Sequence, residues 1–176
     1  MDWIALLRQF DGKHTDVLER LAGELPRGEE SLRRLLVAVE CDEVPVQVAA
    51  TWLLKRWHDE GEPCVADATG EFCRLLRGAT HWEVRLHLLQ LLSTATVPHR
   101  SRATLKKTLL PLTADDNKLV RAWAYSALAQ LADQQPRFQT EVRTLLEAAG
   151  EDEAASVRAR VRQVRKRLKW TDVTLD

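Results

Sequence analysis

Four residues of the chain carry metal-ligand chemistry within one stretch: His58, Cys64, Cys73 and His81. A zinc ion takes four such side chains. The intervening 5, 8 and 7 residues match no paired ligand knuckle, and Cys73 adjoins Phe72 on an apolar helical face. A small buried thiol and surface imidazoles account for the set, so no metal is expected. Acid–base chemistry would need paired carboxylates. The candidates, Asp42-Glu43, Asp115-Asp116 and Glu151-Asp152-Glu153, all stand where helices begin, which assigns them to capping. No Gly-rich phosphate loop occurs, and no local motif surrounds the Ser and His residues. The expectation is a protein that is not an enzyme, with no catalytic residue and no cofactor.

Recognition chemistry remains. Six tryptophans (Trp3, Trp52, Trp57, Trp82, Trp123, Trp170) are many for a chain of 176 residues. Net charge is zero, with 26 Lys and Arg against 26 Asp and Glu, which excludes a uniformly basic nucleic-acid binder and an acidic tail. Three cysteines make an odd count without framework spacing, as expected of a reducing, cytoplasmic home. No secretory segment opens the sequence. No apolar run approaches the roughly 18–20 residues that span a bilayer, so no membrane contact is expected.

The elements that must hold these residues follow a period of about 37 residues, in the range of helical-repeat arrays. A Val followed by a polar residue opens four helical runs, at Val46-Gln47, Val84-Arg85, Val120-Arg121 and Val157-Arg158. An apolar doublet precedes each, at Leu35-Leu36, Leu75-Leu76, Leu109-Leu110 and Leu145-Leu146. Each period holds two amphipathic helices, and the second carries its apolar stripe at offsets 0, 4 and 7 from the marker Val. The predicted helices are 2–10, 14–25, 29–40, 44–58, 69–78, 82–95, 101–113, 117–133, 137–149 and 153–169. Residues 1–28 form a degenerate first pair, 29–169 hold four repeats, and 170–176 are a tail, all in one domain spanning 1–176. Asp42, Asp116 and the capping box Thr80-His81-Trp82-Glu83 are the predicted helix starts. The stretch 59–68 reads as the longest loop. Pro111 should bend or end its helix.

The run Leu109-Leu110-Pro111-Leu112, Asp115-Asp116, Val120-Arg121, with Ala122, Ala124, Ala127 and Leu128, resembles the HEAT repeat, and Val157-Arg158-Ala159 is similar again. The likeness covers roughly 29–169 and is to the short bacterial HEAT-like type. It implies an all-α, right-handed α-solenoid of about five antiparallel helix pairs, armadillo-like in kind, with the second helices lining a concave surface. Such a motif specifies fold well and function poorly.

On that surface the candidates for binding a partner are Val48, Trp52, Lys55, Arg85, Leu86, Gln90, Arg121, Trp123 and Arg162. Offsets 2 and 6 point away from the core stripe, yet hold Val48, Trp52 and Leu86. Across the predicted second helices, twelve bases face three acids. The expected function is a non-enzymatic scaffold or adaptor whose partner is another protein, an acidic peptide or surface among the options. The alternative is a HEAT-like protein that binds nucleic-acid backbone. The HEAT-like alkylpurine DNA glycosylases need an Asp that this sequence lacks inside its second helices, and no motif selects the bilin-lyase group of HEAT-like proteins. The basic last helix, 153–169, reads as a charged solenoid cap.

Overall fold

The four apolar stripes are the core. Val46, Ala50 and Leu53, then Val84, Leu88 and Leu91, then Val120, Ala124 and Ala127, then Val157, Val161 and Val164 are each at most 2% exposed. Offsets 0, 4 and 7 thus fall on one helical face, as a 3.6-residue turn requires. The structure, a computed structural model, describes residues 2–172, and residues 173–176 of the expected tail lie outside that range. Among the described residues there is no strand.

The helices are α1 (Trp3–Leu7), α2 (Asp16–Glu24), α3 (Glu29–Val39), α4 (Val44–Asp59), α5 (Pro63–Asp67), α6 (Thr69–Gly78), α7 (Trp82–Leu92), α8 (His99–Leu112), α9 (Lys118–Gln134), α10 (Gln139–Ala149) and α11 (Ala155–Arg167). Short 3-10 turns follow α9 and α11, at Pro136–Phe138 and Lys169–Asp172. Among the described residues the ten expected helices are therefore eleven. The addition is α5, inside the stretch read as a loop. Pro63 starts it with a preset φ, and the fully buried Val65 anchors it. Helix α8 ends one residue beyond Pro111.

The chain divides into two compact units, one reaching to Leu91 and one from Leu92. In the first, α4 is central and packs against α1, α2, α3 and α5. In the second, α9 is central and packs against α8, α10 and α11. Ion pairs one repeat apart fasten the outer elements. Arg8 meets Glu43 at 2.5 Å and Arg74 meets Glu40 at 2.6 Å, while Arg27 reaches Glu60 and Lys106 reaches Glu141. These pairs are exposed, and exposed pairs contribute little to stability.

Helix starts differ from expectation by one position. Asn117, not Asp116, caps α9, its Oδ1 accepting from the Leu119 and Val120 amides. Glu43, not Asp42, precedes α4 and makes no side-chain cap bond, its carboxylate being held by Arg8. At α7 the amide of Glu83 donates to His81 Nδ1 at 3.4 Å, in place of the Thr80 hydroxyl expected there. Before α9 and α11, Asp115 and Asp152 have a different task. Each carboxylate accepts the amide two residues on, at 2.8 Å, and so tightens the turn before the helix instead of capping it.

Candidate functional site

The polar residue after each marker Val makes the same contact in all four repeats. Gln47 Nε2 donates to the Cys41 carbonyl at 2.6 Å, and Arg85 Nε to that of Ala79 at 2.9 Å. Arg121 Nη1 donates to the Asp115 carbonyl at 2.9 Å, and Arg158 Nη1 to that of Asp152 at 2.5 Å. In every case the acceptor lies six residues earlier, in the turn between the paired helices. A side chain in the first turn of the second helix is long enough to fold back over that turn and satisfy a carbonyl there. Arg121 also meets Asp152 and Glu153 at 3.3 and 3.4 Å, carboxylates of the following turn. Arg85 and Arg121 were candidates for contact with a partner, and the structure turns both back onto their own turns.

Val48 is corrected as well, whereas Lys55 keeps accessible surface but has an acidic neighbour. Val48 is 4% exposed, in an α4 that packs against α1, α2, α3 and α5. Lys55 pairs with Asp59 at 2.5 Å. That acid falls within α4, which runs one residue past its predicted end.

The remaining candidates keep accessible surface. In the first unit these are Trp52 on α4 and Leu86 and Gln90 on α7, all half-buried. Their neighbours set their level. Thr51 Oγ1 lies 3.0 Å from His87 Nδ1, so Trp52 and Leu86 flank the point where α4 and α7 touch. His87 is buried, and desolvation pushes its pKa down to about 4, with Lys55 adding to the shift. In the second unit Trp123 on α9 is half-buried, and Arg162 on α11 is exposed. The Arg160 guanidinium lies over the Trp123 ring, 3.5 Å from its centroid. Burial, then Arg167, lowers the Arg160 pKa from its ordinary value.

Sequence periodicity did not find Val37, which is 68% exposed on α3 beside a cleft of about 400 Å³ bordered by Trp3, Ile4, Arg33 and Arg34. Val37 lies off the α3 stripe, and that was the one available signal. Among the described residues no three His, Cys, Asp or Glu side chains converge as metal ligands. Cys41, Cys64 and Cys73 are free thiols, and burial pushes that of Cys73 up to about 11. No helix among the described residues is long and apolar enough to cross a membrane.

A repeated two-helix unit with a buried stripe and a clamped turn defines a helical-repeat protein. The HEAT-repeat family matches residues 69–164, more than half of the chain, and the chain belongs to that family. No curated protein matches it. In fold it is similar to a chain of the complex of CpcE and CpcF of phycocyanin lyase from Nostoc sp. PCC7120, at TM-score 0.62 and 18% identity, covering 93% of this chain and 97% of that one. An engineered protein matches at TM-score 0.61 and 15% identity, over 96% of this chain and 80% of the other. A designed armadillo repeat protein matches at TM-score 0.57 and 13% identity, over 97% and 88%.

Proposed function

We propose that this protein is a non-enzymatic scaffold or adaptor that binds another protein through the second helices of its repeats. The observation that carries the reading is the pair Trp52 and Leu86. They sit at one level of α4 and α7, off both core stripes, and keep accessible surface where a solvated helix would place polar residues. Half-buried aromatic side chains flanked by polar groups are frequent anchors of protein interfaces. Gln90 and the Lys55–Asp59 pair supply a polar border. The structural neighbour from a CpcE–CpcF complex supports the reading, since that fold there serves in a two-protein assembly.

The test uses wild-type and Trp52→Ala/Leu86→Ala proteins as baits in extract of the native cell, compared by quantitative mass spectrometry. We expect a small set of captured proteins to fall by at least about tenfold with the variant. Circular dichroism should show that it remains folded. Identical capture by the two baits would remove this site and direct attention to the first-helix layer around Val37.

A further inference from the structure

We propose that α11 and the adjoining edge of α9 form a docking surface for a short acidic polypeptide segment, seated on Arg160, Arg162, Lys166 and Arg167. The inference deepens the scaffold reading by naming a partner chemistry for the second unit. It starts from a contrast inside the molecule. On α3 the charges compensate one another, Arg33 with Glu29 and Glu30, and Arg34 with Glu30. On α11 the bases Arg158, Arg160, Arg162, Arg165, Lys166 and Arg167 are interspersed with no acid. Among the described residues none of them forms an ion pair with a carboxylate. Arg158, Arg165 and Arg167 donate to the backbone carbonyls of Asp152, Leu146 and Ser93, and Arg160 covers Trp123. Arg158 and Arg162, and Arg162 and Lys166, are like charges four residues apart, an arrangement that destabilises a helix.

This end of the unit is short of acceptors as well as of negative charge. The Nε atoms of Arg143 and Arg165 and the indole N–H of Trp170 are buried without a hydrogen-bond partner. An oxyanion-bearing partner supplies the missing negative charge to the exposed cations, while these buried donors lie beneath the surface it would cover. The positions divide by face. Val157, Val161 and Val164 are buried, Arg162 and Lys166 are exposed opposite them, and Arg160 and Arg167 lie on the flank that faces Trp123 and Ser93. An exposed cationic face thus adjoins a cationic edge that is held in place.

Carboxylates fit this face better than a nucleic acid does. Arg160 already occupies one face of the half-buried Trp123 ring, so a base would have to displace it to stack there. Thirteen helical residues span about 20 Å, the length of roughly six extended peptide residues. The cationic excess is confined to the second unit. Residues 92–176 hold 15 bases and 10 acids, whereas residues 1–91 hold 11 bases and 16 acids, so a long polyanion gains nothing from the rest of the chain.

The test is fluorescence anisotropy with a labelled alternating Glu-Asp octapeptide, against an oligodeoxynucleotide of equal charge. We expect saturable peptide binding that weakens as salt rises from about 50 to about 300 mM. Arg162→Glu/Lys166→Glu should weaken it by at least about tenfold, while the exchange Arg162→Lys/Lys166→Arg retains it. Arg162→Gln/Lys166→Gln provides a neutral version should the reversal fail to fold. Trp52→Ala/Leu86→Ala must bind the peptide as wild type does, which separates this proposal from the first-unit anchor. Absence of saturable binding at low salt overturns the proposal, as does peptide binding unchanged by both the reversal and the neutral variant. Tighter binding of the oligodeoxynucleotide also overturns it and makes the face a nucleic-acid backbone site.

Discussion

At the residue scale, the repeat marker is a hydrogen-bond donor that reaches back over a turn. Gln47 performs with an amide what Arg85, Arg121 and Arg158 perform with a guanidinium. The requirement is therefore reach and a donor, and charge is secondary. Arg158→Gln should retain stability, since its guanidinium bonds the carbonyls of the turn. Arg121→Ala should cost about 1–3 kcal/mol, because the turn carbonyl and the half-buried Asp152 lose a donor. Denaturant melts of the two variants against wild type decide it, and a clear loss in the Gln variant would show that the clamp depends on charge. The sequence displayed this marker as a Val-polar step of constant period. It did not display the direction of the side chain, since a residue beside a buried stripe points back to a turn or out to a partner with equal ease in one dimension.

At the scale of elements, the contact between α4 and α7 carries a pH dependence. His87 is held neutral against Thr51, with its pKa at about 4 against 6.5 for a free imidazole. The unfolded chain takes up this proton near pH 6.5, the native state only near pH 4. Between those values the unfolded state binds more protons, so stability rises with pH. The contribution is fully present above pH 6.5 and is lost as pH falls through about 4, a change on the order of 3 kcal/mol. His58 is shifted the same way by burial. Urea melts between pH 7.5 and 4.5 should show this slope, and His87→Asn should flatten it. A variant as acid-sensitive as wild type would place the effect elsewhere. The same element shows why Val48 was misassigned. Offsets locate a face of α4 correctly, but the helices packed around α4 decide whether a residue on it stays open.

For the whole molecule, an all-helical repeat fold sets a simple expectation. Far-UV circular dichroism should show a strongly helical spectrum with no strand component, and appreciable strand content would be incompatible with the buried stripes described above. The amino-acid sequence by itself determined the all-α class, the period of about 37 residues and the four buried stripes. These follow from local periodicity, in which each apolar position is bound to the next by the geometry of one helix. Tertiary structure alone decided which of the off-stripe residues remain accessible. It buried Val48 and folded Arg85 and Arg121 back over their turns. It left Trp52 and Leu86 half open and the α11 bases without a carboxylate among the described residues. The reason is physical. Periodicity is written within one element, whereas exposure depends on what packs against that element, and a residue beside a stripe reaches back over its turn or outward according to how the turn places its carbonyls.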